Sequence, residues 1–220
     1  MKVYLISGIA ADRRLFRRIQ LPSEFEPFFI DWIKPYRNET LPNYAHRLAE
    51  AINIDEPFIL IGTSLGGIIA TEIALKYPSE ATIIIGSIPV SAQLPGYFRI
   101  AGTFKFHKIV PGSFYKISAI LKHYLSKENA EDRKIIIKMI SETESSFIRW
   151  GINAVLNWEN NQLPKPLYHI HGTRDEMFPY SLTSPTHTIP KGDHTIVINR
   201  AKEVNRIISE ILNDIPENKY

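Results

Sequence analysis

The stretch at residues 58–70, FILIGTSLGGIIA, constrains the fold of this chain more than any other part of its sequence. Apolar residues typical of a buried strand lead into a G-x-S-x-G turn, and an apolar helix start follows directly. A serine at so sharp a turn is held in a strained backbone conformation, so its neighbours two residues away, Gly62 and Gly66, must lack bulk. The pattern predicts a strand, a tight turn that exposes Ser64, and a helix behind it.

The rest of the chain repeats this alternation of short β-branched runs and longer stretches with helical periodicity. It favours a mainly parallel sheet covered by helices on both faces, an α/β sandwich of three layers. Helical spacing predicts a crossover helix over Leu41–Ile52 and a final helix over Val204–Ile211. The compact sheet is predicted to have six strands, at Val3–Ile6, Phe28–Ile30, Phe58–Ile61, Thr82–Ile85, Leu167–Ile170 and Thr186–Ile189.

The alternation breaks between Gly86 and Gln162, where helical spacing continues without a clear strand. A chain of 220 residues can bury one substantial core, so we expect a single domain over residues 1–220. Residues 87–162 would form a helical lid inserted above the carboxyl ends of the strands, where ligands bind in α/β proteins. Within this lid we predict helices at Phe114–Leu125, Glu131–Ile140 and Phe147–Leu156.

Composition narrows the chemistry and the partners. The chain has no cysteine, which excludes disulfides, thiolate nucleophiles and cysteine-ligated zinc. A net charge of +3 is too small to indicate a nucleic-acid partner. No apolar run approaches the roughly 18 residues of a membrane span. We therefore expect no stable membrane insertion, and the absence of signal-peptide features at the start favours a cytoplasmic location.

Two later segments complete a pattern that begins with the G-x-S-x-G turn. They read HGTRDEMFP at residues 171–179 and KGDH at residues 191–194. Together the three segments resemble the α/β-hydrolase family, which carries a nucleophile elbow, then an acid in an H-G-x-x-D-x-x-x-P segment, then a histidine. The resemblance spans nearly the whole chain except the insertion. It implies Ser64 as nucleophile, Asp175 as acid and His194 as the histidine of a catalytic triad, with no cofactor.

The chemistry of the three groups supports these roles. A serine hydroxyl is a poor nucleophile until an imidazole removes its proton, which would be the task of His194. The carboxylate of Asp175 would fix the tautomer of that imidazole and stabilise the imidazolium formed during attack.

An oxyanion hole needs backbone N–H groups beside the serine. The N–H of Leu65 would be one donor, since it lies at a predicted helix N-terminus. The resemblance implies Ile9, in the loop after the first strand, as the second donor. Ser7 replaces the histidine that the family usually has in this loop, which puts its local hydrogen bonding in question, and an ordinary turn at Gly8 is an equal alternative.

Each of these assignments has a plainer alternative. Gly62 to Gly67 could be only a tight turn. A phosphate-binding loop is disfavoured because the lysine and the glycine spacing of such loops are missing. Asp175 could cap a helix that begins near Met177. Asp193 and Glu176 compete for the acid role.

A metal site is the second competing interpretation. His169 and His171 are alternate residues of a predicted strand and could ligate one metal ion together with Asp175 or His194. The spacing does not resemble a common zinc signature, so we expect no metal, and His171 to support the acid loop.

The predicted function is hydrolysis of a carboxylic ester or thioester through an acyl-enzyme. Carbon–carbon bond hydrolases, amidases and peptidases could use the same triad, and a noncatalytic protein that binds a small molecule or partner on this fold is the alternative from another class. Residues 97–127 carry basic and aromatic side chains without an acidic one. They suit a small acyl substrate with an anionic handle, or are a solvated face over the core of the lid.

Overall fold

The computed structural model of the chain describes residues 1–96, 98, 112–124 and 129–215. In this part of the chain one sheet has the order β2-β1-β3-β4-β5-β6, and every neighbouring pair is parallel. The six predicted strands are thereby confirmed, with ends that differ by one or two residues. They are β1 (Lys2–Ile6), β2 (Glu26–Ile30), β3 (Phe58–Thr63), β4 (Ala81–Ile85), β5 (Leu167–Gly172) and β6 (His187–Ile189).

Helices cover both faces of the sheet, as the alternation in the sequence predicts. Tyr4 and Leu60 point to the face covered by α1 (Leu41–Leu48) and α2 (Leu65–Lys76). The next residues along the strands point to the opposite face, covered by the final helices α6 (Ile196–Asn199) and α7 (Ala201–Asn213). The predicted crossover helix is shorter than expected, because its last turn, Ala49–Ala51, is a 3-10 helix. The three-layer sandwich is confirmed.

Between β4 and β5 the structure has the helices α3 (Gly112–Tyr124), α4 (Ala130–Glu142) and α5 (Ser145–Leu156). They correspond to the three helices predicted there. Side chains of α5 pack into both clusters, with Phe147 and Trp150 on the side of α1 and α2 and Ile148 on the opposite side, whereas those of α4 join the cluster on the opposite face. Much of the basic and aromatic segment at residues 97–127 lies outside the described residues. Across the described residues, no helix is both long enough and apolar enough to span a membrane.

Ion pairs tie α4 to the loop after β1. Asp132 on α4 is only 2% exposed and binds the guanidinium groups of Arg17 and Arg18, the latter at 2.9 Å. Arg14 reaches Glu142 at the other end of the helix, 2.5 Å from its carboxylate. A buried carboxylate is tolerated only with such partners. Helix α4 is therefore fixed to the same loop that borders Ser64.

The strand order determines where the functional groups collect. From β1 the chain moves to β2 at one edge and then returns past β1 to β3 on the other side. Connections leave in opposite directions at this switch point, and the crevice they open at the carboxyl ends of the strands is where open α/β sheets bind ligands. The loops after β1, β3, β4, β5 and β6 all leave from this same edge of the sheet.

Candidate active site

Ser64 occupies the sharp turn between β3 and α2. Its backbone has φ 52° and ψ −122°, a conformation that is unfavourable for any residue with a side chain. A Cβ at Gly62 would overlap the backbone of Gly66, and a Cβ at Gly66 would overlap the carbonyl oxygens that end β1. The turn can thus form only because both glycines let the backbones approach.

Hydrogen bonds to its backbone N–H and to its carbonyl hold Ser64 in this conformation. The N–H of Ser64 donates to the carbonyl of Ile85 on the neighbouring strand at 3.1 Å. The Ser64 carbonyl accepts from the N–H of Gly67 at 3.0 Å and from the hydroxyl of Ser87 at 2.6 Å. The Ser64 side chain caps nothing in α2, so its hydroxyl is available to other groups.

The structure brings the three predicted triad residues together. The Nε2 atom of His194 lies 3.0 Å from Oγ of Ser64, and its Nδ1 atom lies 2.9 Å from Oδ2 and 3.1 Å from Oδ1 of Asp175. The Asp175 side chain is fully buried, while the His194 side chain is 23% exposed. An imidazole between an alcohol and a carboxylate at these distances can receive the hydroxyl proton on one side and be stabilised on the other.

Asp175 also organises the loop that carries it. Its Oδ1 atom accepts from the backbone N–H groups of Met177 at 2.8 Å and Phe178 at 2.9 Å. Asp175 therefore does not cap a helix, because none begins at Met177; its carboxylate holds the loop and contacts His194 at the same time. Burial raises the pKa of Asp175, but the hydrogen bonds from His194 and the Phe178 N–H outweigh burial and leave the pKa below its ordinary value.

The acid and histidine loops are bonded to each other. The N–H of Arg174 donates to the carbonyl of Gly192 at 2.8 Å, and the N–H of Lys191 donates to the hydroxyl of Thr173 at 2.8 Å. The ring of Phe178 stands edge-on to the ring of His194, with 5.7 Å between centroids. These contacts hold together the loop after β5, which carries Asp175, and the loop after β6, which carries His194.

The competing acids point elsewhere. Asp193, next to His194 in sequence, accepts from the hydroxyl of Thr195 at 2.8 Å and from the side chain of Asn199 at 3.0 Å. Glu176 is exposed to solvent. The carboxylate that hydrogen-bonds to the His194 ring is that of Asp175.

The loop after β1 runs beside the serine. A Cβ at Gly8 would lie 3.2 Å from Cβ of Ser64, so the loop passes close to the nucleophile candidate. The Ser7 hydroxyl donates to the carbonyl of Ala11 at 2.9 Å, and the Trp32 indole donates to the same carbonyl at 3.0 Å. Ser7 thus closes the loop on itself, which answers the question raised by the missing histidine.

Helix α5 of the insertion reaches both predicted oxyanion residues. A Cβ at Gly151 would lie 2.7 Å from Cδ1 of Ile9 and 3.4 Å from a methyl group of Leu65. The Trp150 ring, one residue before, packs on Tyr44 of α1 with centroids 4.2 Å apart. At least one inserted helix therefore borders the edge of the sheet where Ser64 lies.

The two histidines of β5 bond to each other. Nε2 of His169 lies 3.0 Å from Nδ1 of His171, and Nε2 of His171 lies 2.8 Å from the carbonyl oxygen of Phe178. Both ring nitrogens of His171 are engaged in this way. Among the described residues no group of three or more histidines and carboxylates is arranged to hold a metal ion.

Sequence reasoning missed Gly86 and Ser87, the residues that follow β4. Gly86 has φ 52°, and a Cβ there would lie 3.6 Å from Oδ2 of Asp175 and 3.8 Å from Nδ1 of His194. Ser87 is completely buried and supports the Ser64 carbonyl. A glycine directly after a buried strand was the available signal for the first residue, whereas nothing local in the sequence distinguishes the second.

Comparisons with known proteins agree with this architecture. A sequence profile of the family described as alpha/beta hydrolase fold matches residues 22–201. Curated proteins gave no match. Three similar solved structures are a thermophilic esterase from Thermogutta terrifontis (TM-score 0.74, 17% identity, 98% of this chain and 90% of that chain), MenH from S. aureus (0.76, 15%, 97% and 94%), and the esterase EaEST from Exiguobacterium antarcticum (0.72, 14%, 97% and 92%). At these identities the structural matches establish the fold alone.

Proposed function

Since the chain belongs to the alpha/beta hydrolase fold family, we propose that it is a serine hydrolase that cleaves a carboxylic ester or thioester through an acyl-enzyme. The observation that carries the proposal is the continuous contact from Oγ of Ser64 to Nε2 of His194 at 3.0 Å and from Nδ1 to Oδ2 of Asp175 at 2.9 Å. A binding protein has no need of an alcohol, an imidazole and a buried carboxylate in this order.

In the proposed reaction, His194 removes the Ser64 proton as Oγ attacks the acyl carbonyl carbon. The tetrahedral intermediate collapses when the imidazolium gives that proton to the departing alkoxide or thiolate, which leaves the acyl group on Ser64. Water then attacks the acyl-enzyme while His194 takes a proton from it. His194 returns that proton to Oγ of Ser64 as the carboxylic acid is released. Asp175 keeps the proton of the imidazole on Nδ1, so that Nε2 can act as the base.

The backbone N–H groups of Ile9 and Leu65 are the proposed oxyanion donors. The first hydrogen bonds of α2 are donated by the N–H groups of Gly67 and Ile68 to the carbonyl of Ser64. The N–H of Leu65 precedes them in the chain and lies at the positive end of the helix dipole. Ile9 follows Gly8, the residue that passes beside Ser64. Preorganised donors of this kind contribute on the order of 100-fold or more to turnover.

Two features favour an ester or thioester as the bond that is cleaved. Two of the similar structures named above are described as esterases, at 17% and 14% identity. The inserted helices, proposed as a lid, would contact the acyl group, and the basic residues of the segment at 97–127 would favour a substrate with an anionic handle.

Labelling with a fluorophosphonate tests the proposal without knowledge of the substrate. We expect one adduct on the intact protein, none on Ser64→Ala, and normal labelling of the control Ser23→Ala, which removes an exposed hydroxyl far from the turn in sequence. If the unmodified protein gives no adduct, the noncatalytic alternative is correct. A panel of p-nitrophenyl esters and acyl thioesters of graded length then separates the two bond types.

A further inference from the structure

His169 and His171 form a buried polar pair that the proposed reaction does not use. They lie two residues apart on one face of β5 and are 2% and 0% exposed. Their rings meet edge-to-face with centroids 4.9 Å apart. Burying two imidazoles is unfavourable unless their nitrogens are paired, so the partners of these nitrogens indicate what the pair does.

The hydrogen-bond partners determine which nitrogens carry protons. The carbonyl oxygen of Phe178, 2.8 Å from Nε2 of His171, can only accept, so that nitrogen carries a proton. Burial lowers the pKa of both rings, which keeps them neutral with one N–H each. With both rings neutral, Nδ1 of His171 accepts and the proton between the rings belongs to Nε2 of His169, 3.0 Å away; the Ser87 backbone beside His169 favours the protonated form of that ring, but burial outweighs it. His169 thereby fixes the tautomer of His171.

His171 donates its hydrogen bond to Phe178, a residue that contacts both Asp175 and His194. Phe178 donates its N–H to Oδ1 of Asp175 at 2.9 Å, and its ring stands edge-on to His194. Nε2 of His171 is also 3.6 Å from Oδ2 of Asp175, so the His171 ring lies beside the carboxylate as well as beside Phe178. A shift of Phe178 would therefore move the carboxylate and the imidazole together.

We infer that His169 and His171 are positioning residues that hold Phe178, and through it the carboxylate of Asp175 against the ring of His194. This inference rests on the proposed function, because the pair acts through groups assigned there. It gives the two strand histidines a role that neither metal binding nor packing alone explains.

The protonation pattern can be read directly in the unmodified protein. Long-range ¹⁵N–¹H correlation spectra of the imidazoles should show His169 and His171 both as neutral Nε2–H tautomers at pH 7. A proton on Nδ1 of His171, or a charged ring in either residue, would overturn the inference whatever the activity of the protein.

Matched substitutions test the consequence. His171→Leu removes the donor to Phe178, whereas His171→Gln keeps an N–H donor at a similar distance from the backbone. With p-nitrophenyl acetate as probe, we expect kcat of His171→Leu to fall about 10- to 100-fold with KM changed less than about threefold, and His171→Gln to recover most of kcat. The downfield proton signal of His194 Nδ1–H should shift or broaden in His171→Leu only.

His169→Leu and His169→Gln form a second pair in case His171→Leu does not fold. A loss of kcat in His169→Leu that His169→Gln restores supports the inference. Equal kcat in the leucine and glutamine variants of either residue contradicts it. Failure of the proposed function is a different result, since the unmodified protein would then give no fluorophosphonate adduct at Ser64 while the tautomers could still be measured.

Discussion

The elbow around Ser64 and the acid–histidine side of the site are built by different means. The elbow is one continuous stretch in which β3, the turn and α2 follow each other, and its shape is imposed by contact between backbones that only glycine permits. The acid–histidine side joins two loops whose key residues, Asp175 and His194, are 19 positions apart. Side-chain hydrogen bonds, several of them buried, hold it together, in addition to one close approach between the backbones of Gly172 and Gly192.

Because of this difference, the elbow and the acid–histidine side should be sensitive to different kinds of change. A backbone packed without free space tolerates no added atom, so the elbow should respond to size. A network of buried neutral and charged groups depends on which atoms carry protons, so the acid–histidine side should respond to charge and pH. The predictions that follow test this contrast.

The largest effect is expected at the serine itself. Ser64→Ala removes the nucleophile and should lower kcat/KM for p-nitrophenyl acetate on the order of 10⁶-fold, with little change in the free energy of unfolding. If Ser64→Ala retained substantial turnover, the hydroxyl of Ser64 would not be the reacting group, and its assignment as nucleophile would be wrong. Ser23→Ala should behave as the unmodified protein does.

On the other side, Asp175→Asn keeps the shape of the side chain and removes its charge. We expect kcat to fall on the order of 10⁴-fold, because the amide no longer fixes the tautomer of His194. Asp193→Asn is the matched control, since the carboxylate of Asp193 bonds Thr195 and Asn199 instead of the imidazole. A larger loss in Asp193→Asn than in Asp175→Asn would reverse the assignment of the acid.

These two halves also differ in what the sequence could predict. The elbow was predictable because its sequence signal, including Gly62 and Gly66, lies within a few residues of Ser64, although Ile85 and Ser87 on a neighbouring part of the sheet also hold it. The six strands and the covered sheet followed from local periodicity for the same reason. Asp175 and His194 were found by resemblance to a family, since spacing along the chain cannot show that two loops meet in space.

What the sequence could not predict depends on neighbouring strands. Gly86 approaches Asp175 and His194 only because β4 lies beside β5, and Ser87 reaches the Ser64 carbonyl only because β4 lies beside β3. The His169–His171 pair could be recognised as two alternate residues on one strand face. Its hydrogen bond to Phe178 depends on how the loop after β5 folds back, which no local pattern specifies.

A steric prediction tests the elbow. Gly66→Ala introduces a Cβ that would overlap the carbonyl oxygens of Ile6 and Ser7, so either β1 or α2 must move. We expect a loss of about 3 kcal/mol in the free energy of unfolding, measured by urea denaturation, together with loss of fluorophosphonate labelling. Gly96→Ala is the control, because a Cβ there meets no atom of the described part of the chain within 4 Å. Equal stability of the two variants would mean that the elbow is not sterically constrained.

The smallest predicted effect distinguishes the acid–histidine side by its response to acid. Burial lowers the pKa of His169 to about 3, against weaker opposing effects of the Ser87 backbone and Asp175, while the unfolded chain retains a pKa of about 6.5. Between pH 7 and pH 5, His169 therefore takes up a proton in the unfolded chain but stays neutral in the folded chain. Proton binding stabilises the unfolded state, so the free energy of unfolding falls as the pH falls, by about 2 kcal/mol for this residue alone.

The variant His169→Gln isolates that contribution, because glutamine does not titrate. Urea denaturation at pH 7 and pH 5 should show a smaller loss of stability in His169→Gln than in the unmodified protein, by about the same 2 kcal/mol. The lowered pKa of His171 acts in the same direction and persists in both proteins, and that of Asp175 contributes only below about pH 4. Identical pH dependence in the two proteins would mean that His169 takes up a proton in the folded state as readily as in the unfolded chain, and the neutral network beside Asp175 would have to be abandoned.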